Sequence, residues 1–226
     1  MFKKMREKPQ QTEAQAFSNA LDRGLCQGKE GWCKVTTKHL IERTVVIVKH
    51  DGIQRGLVGE IIKRFEQRGM KISALKMIRP TEEHVNKHYV MTDAWVEKLG
   101  ENTRRAAKAK GVELKESNKE IAERVREWNK KYLMEGPIVV VLFEGYHAIE
   151  VGRKIVGPAE ARQAPVGTIR GDFSADSYEI ADVLKRPVRN LVHASGNREE
   201  AENEIKVWFS EMEIYDYDQK AWEIIH

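Results

Sequence analysis

The residue types best able to do chemistry in this chain are one histidine and a set of scattered cations. In Arg189-Asn190-Leu191-Val192-His193-Ala194-Ser195 a short apolar run delivers His193 just ahead of Asn197-Arg198-Glu199-Glu200, a helix start signal. A histidine there can act as a nucleophile or meet an anionic phosphate beside free backbone N–H groups. It can equally be held by local hydrogen bonds at a strand–helix junction. The cations are Lys49 at a strand end, Arg153 within a helix and Arg170 between Gly167 and Gly171 in a long loop. A guanidinium grips phosphate oxygens as a planar fork, and lysine acts as a compact point charge. Taken singly, Lys49 also reads as a solvated strand terminus and Arg153 as a helix-surface charge. Arg170 stands out, because two flanking glycines suggest a backbone shaped to aim it. The glycine-rich phosphate cradles G-x-x-x-x-G-K-[ST] and G-x-G-x-x-G after a strand are both missing from the sequence, so side chains would have to hold any nucleotide.

Composition sets the frame for these residues. A chain of 226 residues with 41% hydrophobic and 33% charged content suits one good core with an appendage. No apolar run approaches membrane-spanning length, and the basic N-terminus lacks the apolar stretch of a secretory signal. Cys26 and Cys33 are the only cysteines, too few for a zinc site or a disulfide framework, and they read most simply as reduced thiols of a cytosolic protein. The net charge of +4 resides in residues 1–40, which hold eight Lys/Arg against four Asp/Glu. The rest of the chain is balanced and gives no support to nucleic-acid binding, which would have to reside in that basic arm.

Several elements must position the histidine and the cations. Residues 1–40 read as an extension that docks through Phe17, Leu21 and Trp32. A domain over 41–210 then opens with the β-branched run Thr44–Val48, the mark of a buried strand. Val58, Ile61, Ile62 and Phe65 follow helical spacing. Lys71–Ile78 is a second strand, and a short helix from Pro80-Thr81 carries His88 and Tyr89. Glu97–Lys119, rich in charge and broken by Gly100 and Gly111, reads as a surface excursion. Ile121, Val125, Trp128 and Tyr132 return to helical spacing. Ile138–Phe143 is a third strand, His147–Val156 a helix, and Leu191-Val192 a last short strand before the helix of Ala201, Ile205, Trp208 and Phe209. The aromatic, acidic tail 211–226 is expected to wrap the surface. The order predicts an α+β fold of ferredoxin-like βαββαβ type, an antiparallel sheet covered by helices on one face.

Residues 43–209 resemble the nucleoside diphosphate kinase family. The resemblance rests on Arg43-Thr44 to Lys49 with Asp51, on Gln54-Arg55-Gly56-Leu57-Val58-Gly59-Glu60-Ile61-Ile62, on His88-Tyr89, Gly136-Pro137 and Gly152-Arg153, on Gly167-Thr168-Ile169-Arg170-Gly171-Asp172-Phe173, and on Asn190-Leu191-Val192-His193-Ala194-Ser195. It implies a ping-pong kinase in which His193 carries the γ-phosphate of ATP to a nucleoside diphosphate as a phosphohistidine. Lys49, Tyr89, Arg153 and Arg170 map to phosphate contacts, Lys49 and Asn190 to sugar hydroxyls, and Glu204 and Ser195 to the pair that orients the histidine. Mg²⁺ would arrive on the nucleotide phosphates rather than in a protein cage. A cytoplasmic homo-oligomer, with no membrane partner, is also implied. A non-catalytic nucleotide-binding relative is the alternative.

The chain departs from the family pattern at His50 (usually proline), Ala159 (commonly a phosphate-binding threonine) and Gly196 (usually aspartate). Two insertions, about 92–120 and 174–188, add length near the expected cleft. The first lacks the family's base-stacking phenylalanine, for which Trp95 is the available substitute.

Overall fold

The strand-forming runs assemble into one four-stranded sheet. The structure is a computed structural model that describes residues 40–109 and 111–219, with two short strands at 26–27 and 34–35. The expected docking of Phe17, Leu21 and Trp32, and the state of Cys33, lie outside the described residues. Two compact units are present, Met1–Ile41 and Glu42–His226. In the first, β1 (Cys26–Gln27) pairs antiparallel with β2 (Lys34–Val35).

In the second unit the main sheet comprises β3 (Ile41–Val48), β4 (Lys71–Ile78), β5 (Ile138–Tyr146) and β6 (Val192–Ala194), in the spatial order β4-β5-β3-β6. β4 pairs antiparallel with β5, and β6 antiparallel with β3, so that His193 lies opposite Ile47. Along the chain the strands alternate with α1 (His50–Gln54) and α2 (Val58–Glu66), with α3 (Glu82–His88), α4 (Asp93–Ala109) and α5 (Asn118–Met134), and with α6 (Ala148–Val156). Two short helices, α7 (Ile169–Phe173) and α8 (Tyr178–Val183), precede β6, and α9 (Arg198–Trp208) follows it. This is the expected α+β, ferredoxin-like order with added helices.

The expectation of helices on a single face is corrected. Side chains alternate across a strand, and here both sets are buried. Val46, Val48, Val139, Val141 and Phe143 pack with Ile61, Phe65 and Ala148 in one cluster. Val45, Ile47, Ile138, Val140 and Leu142 pack with Val85, Leu133 and Trp208 in another. α2 and α6 therefore cover one face, and α3, α5 and α9 the other. The unbroken apolar runs of β3 and β5 are the sequence counterpart of a doubly covered sheet.

Three local readings also change. The described residues of the surface excursion are mostly exposed, as expected, but Gly100 does not break it: it lies within the 17-residue helix α4, which pairs with α5 in a hairpin. Arg104 of α4 staples the connection. Its Nε donates to Asn118 Oδ1 at 2.9 Å, Nη1 donates to the Leu114 carbonyl at 3.2 Å, and Nη2 donates to the Glu116 carbonyl. Arg170 is not in a loop but in α7, whose N-cap Thr168 accepts the Gly171 N–H at 3.0 Å. The last strand runs Val192–Ala194, so His193 sits within it rather than after it. The described part of the tail, 211–219, runs beside β4, where the Tyr215 N–H donates to the Ser73 carbonyl at 2.8 Å and the Tyr217 hydroxyl to the Ile72 carbonyl at 2.9 Å.

Candidate active site

β6 and α9 together orient the histidine. Asn197 caps α9 by accepting the Glu200 N–H, and the helix then carries Glu204 back beneath the strand. Glu204 is almost fully buried. Burial pushes its pKa up, but His193, His88 and Ser195 outweigh that and hold the carboxyl below the usual range. An ionised carboxylate can only accept. The proton on His193 is therefore on Nε2, 2.8 Å from Glu204 Oε1, and in the neutral ring Nδ1 carries the lone pair. That nitrogen has no hydrogen-bond partner among the described residues, and the side chain is 22% exposed. Ser195 completes the arrangement. Its Oγ donates to Glu204 Oε2 at 2.6 Å and accepts the Val45 N–H at 3.0 Å. One carboxylate is thus tied to both the histidine and the sheet.

Sequence reasoning gave no role to His88. Its ring meets that of His193 edge-on, 4.7 Å between centroids, and Trp208 Nε1 donates to its Nδ1 at 3.2 Å. Indole N–H is a donor only, so His88 Nδ1 must be an unprotonated acceptor. Burial first, and then the neighbouring His193, hold its pKa down to about 3. It is a neutral wall of the site, not a second acid. His88, His193 and Glu204 place ligand atoms within 4.8 Å of one another, yet the facing Nδ1 of His88 and both carboxylate oxygens are already engaged. Such a set suits neither Mg²⁺, which prefers oxygen ligands, nor an octahedral cage.

The cations gather around the residues just before the histidine. Arg170 is bonded to three carbonyls: Nη1 to Gly157 at 2.8 Å, Nη2 to Val192 at 2.7 Å and Nε to Asn190 at 3.3 Å. Burial, then the nearby Arg153, push its pKa down to about 10. Lys49 is buried and donates to Asn190 Oδ1 at 2.8 Å, while Asn190 Nδ2 donates to the Ala159 carbonyl at 2.9 Å. Burial, then Arg170, lower the Lys49 pKa to about 7, against a smaller upward pull from Asp51. The Arg153 side chain is exposed and has no hydrogen-bond or ion-pair partner among the described residues. Tyr89 packs edge-on against His88 at 4.6 Å. Seven of the eight residues singled out in the sequence are linked by hydrogen bonds, ring contacts or the backbone beside His193, and Arg153 reaches the group through its charge on Arg170. The cations of this group repel one another with little carboxylate to balance them, which is a ready setting for a polyanion.

Lys49 makes a stability prediction. Below about pH 7 it is charged in both folded and unfolded chains, and its buried charge opposes folding in full. Between about pH 7 and 10.5 the unfolded chain binds the extra proton, so this contribution to stability improves with pH by up to about 1.4 kcal/mol per unit. Urea denaturation of wild type and Lys49→Met is expected to show the wild type gaining on the variant across that window. A constant difference would contradict the burial of a charged amine.

Sequence comparison decides the family. The family description "Nucleoside diphosphate kinase" matches residues 42–96 and 115–214. The chain belongs to the nucleoside diphosphate kinase family. It is similar to the nucleoside diphosphate kinase of Pyrobaculum aerophilum, 41% identical over 179 residues that span 77% of this chain and 98% of that one. It is similar to nucleoside diphosphate kinase B of Mus musculus, 34% identical over 186 residues, 82% of this chain and 97% of the other. The crystal structure of the Pyrobaculum aerophilum enzyme superposes with a TM-score of 0.74 at 39% identity, covering 78% of this chain and all of that one. A nucleoside-diphosphate kinase from Borrelia burgdorferi with bound vanadate and ADP, described as a transition-state mimic, gives 0.70 at 33% identity, covering 84% and 98%.

Against this nucleoside diphosphate kinase background, residues 97–114 fall outside the family match. They form most of α4 and its connection to α5. The three single-residue departures have the following surroundings. A Cβ at Gly196 would overlap the Glu200 carboxylate, which accepts the Gly196 N–H at 2.9 Å, so Glu200 supplies the oxygen at this corner. The His50 ring lies against Gly136, where a Cβ would overlap it. Ala159 contributes through its carbonyl, as the acceptor that fixes Asn190.

Proposed function

We propose that this family member transfers the γ-phosphate of a nucleoside triphosphate to a nucleoside diphosphate in two half-reactions through His193. In the first, the Nδ1 lone pair attacks the γ-phosphorus. The N–P bond forms as the bond to the β–γ bridging oxygen breaks, and the nucleoside diphosphate leaves. In the second, the terminal oxygen of another diphosphate attacks the phosphohistidine and restores the free ring. Phosphoryl transfer asks a protein for positioning and charge stabilisation more than for bond-making. Lys49, Tyr89, Arg153 and Arg170 are assigned to the phosphates, and Lys49 and Asn190 to the sugar hydroxyls. Glu204, supported by Ser195, holds the ring and stabilises positive charge on Nε2 as Nδ1 becomes phosphorylated. Mg²⁺ is assigned to the substrate, where it would screen phosphate charge and would need no protein cage. Trp95, in the first turn of α4, is the assigned stacking surface for the base.

The single observation that carries this reading is the open Nδ1 of a histidine whose Nε2 is fixed by a buried carboxylate, beside cations short of counter-charge. The catalytic unit is assigned to residues 41–210, with 1–40 as an extension and 211–226 as a tail. A homo-oligomer working in the cytoplasm fits the family. No helix among the described residues is long and apolar enough to cross a membrane. Incubation with γ-labelled ATP is expected to give an acid-labile, alkali-stable label that passes to added GDP. Nucleotide binding without labelling would instead mark a binding domain that lacks transfer.

A further inference from the structure

Two residues before His193 the backbone does something leucine avoids. Leu191 has φ +67, in the left-handed region where a side chain crowds its own carbonyl. The Val192 N–H donates to the Asn190 carbonyl at 2.7 Å across it, closing a three-residue turn of the rarer hand. Such a conformation persists only where its surroundings impose it, and an outlier of this kind is a reason to look for a purpose. The turn decides where β6 begins, hence the direction of the His193 ring, while the Asn190 amide is held separately by Lys49 and the Ala159 carbonyl.

The restraint comes from α5. Tyr132 is 1% exposed, and its hydroxyl accepts the N–H of Asn190 at 3.2 Å and of Leu191 at 3.4 Å while donating to Asp51 Oδ2 at 2.6 Å. Amides can only donate, so the phenolic proton is committed to Asp51, and the hydroxyl's one donor and two acceptor sites are all filled. The other oxygen of Asp51, Oδ1, is buried without a hydrogen-bond partner, so among the described residues Tyr132 is the carboxylate's side-chain anchor. The ring itself is faced by Lys49 Nζ at 4.5 Å and Arg189 Cζ at 5.5 Å. From the other side of the turn, the Lys49 N–H donates to the Leu191 carbonyl at 2.8 Å.

We propose that Tyr132 is a positioning residue: its hydroxyl, anchored on Asp51, clamps the left-handed turn at Leu191 and thereby aims His193. The proposal rests on His193 being the phosphoryl carrier. Because the atom responsible is one oxygen, Tyr132→Phe tests it with the buried ring retained.

At saturating ATP, Tyr132→Phe is expected to form phosphohistidine about tenfold or more slowly, with ADP affinity within about threefold of wild type. Faster amide hydrogen exchange is expected at Asn190 and Leu191. Unchanged labelling per folded molecule, with only a lower melting temperature, would make Tyr132 a core residue and overturn the proposal. So would equal losses in rate and ADP affinity, which would mean a general distortion of the nucleotide site. Should Tyr132→Phe fail to fold, Asp51→Ala removes the anchor together with the small upward pull of Asp51 on the Lys49 pKa, so ADP affinity is read beside the labelling rate. The same selective loss supports the clamp, and a wild-type rate overturns it. Failure of wild type itself to label would instead sink the underlying assignment of His193, so the two failures are separate.

Discussion

His193→Ala is expected to take up no label from γ-labelled ATP and to lose phosphate transfer to GDP by at least about 10⁴-fold, because the covalent route vanishes with its nucleophile. The substitution also has a structural signature. Glu204 keeps Ser195 as a donor but loses the Nε2 proton and the charge that helps hold its pKa down. The upward push of burial is then opposed by His88 and Ser195 alone, and the Glu204 carboxyl is expected to protonate at higher pH than in wild type. The folded-state pKa of wild-type Glu204 is depressed, so its contribution is present above the unfolded carboxyl range and lost as pH falls through the folded value. In His193→Ala that window should move upward or disappear. Stability between pH 3 and 6, measured beside the labelling, reads this directly. Label remaining on the alanine variant would place the carrier elsewhere and end the reading.

Arg170→Ala is expected to damage both fold and activity. Hydrogen bonds to a charged donor contribute about 1.5–3 kcal/mol each, and a buried acceptor left unmet costs about 1–3 kcal/mol. The carbonyls of Gly157 and Val192 accept from this guanidinium, as does that of Asn190, which also keeps the Val192 N–H. Some relaxation toward water will soften the loss, so a net cost of roughly 3–5 kcal/mol is expected, with Tm falling on the order of 10 °C. Arg170→Lys should recover little of it, since one ammonium cannot span three carbonyls on separate segments. A Tm for the alanine variant within a degree or two of wild type would show that water replaces the guanidinium easily. At a temperature where the variant is folded, phosphohistidine formation should still be slowed, because the turn before His193 has lost two of its supports.

The candidate site residues, spread from Lys49 to Glu204, were legible through the family motifs, and only the stretch around His193 and the helix after it are local in sequence. The spacing from His193 to Glu204 is one turn and a capped helix, and Asn197 announces that helix. Residues meeting only through tertiary packing were harder to read. His88 finds Trp208 across 120 positions, and nothing in a helical stretch marks a histidine as the acceptor of a distant indole. Tyr132 fitted an apolar helical stripe, which says nothing of a hydroxyl whose partners lie 81 and 58 residues away.

Glycines caused the clearest misreadings. Gly100 looked like a break in a charged segment. It lies inside α4, where a Cβ would overlap the Asn118 side chain, so it permits close helix packing. Gly171 suggested a loop around Arg170, but a Cβ there would overlap the Pro165 carbonyl. In both places the missing side chain makes room rather than freedom. The doubly covered sheet was available in principle, since β3 and β5 are apolar at odd and even positions alike. The βαββαβ order of elements, which suggested helices on one face, outweighed that pattern.

The burial of Lys49 reaches beyond the stability of the free protein. With its pKa near 7, the amine is only partly protonated in neutral solution, and a polyphosphate seated against it would draw the missing fraction of a proton from the medium. Nucleotide association then carries the enthalpy of the buffer's own ionisation. Titration calorimetry in two buffers of different ionisation heat should give different apparent enthalpies at the same affinity. The gap between them should widen from pH 7 to pH 8 as more of the free amine begins uncharged, and it should shrink in Lys49→Met.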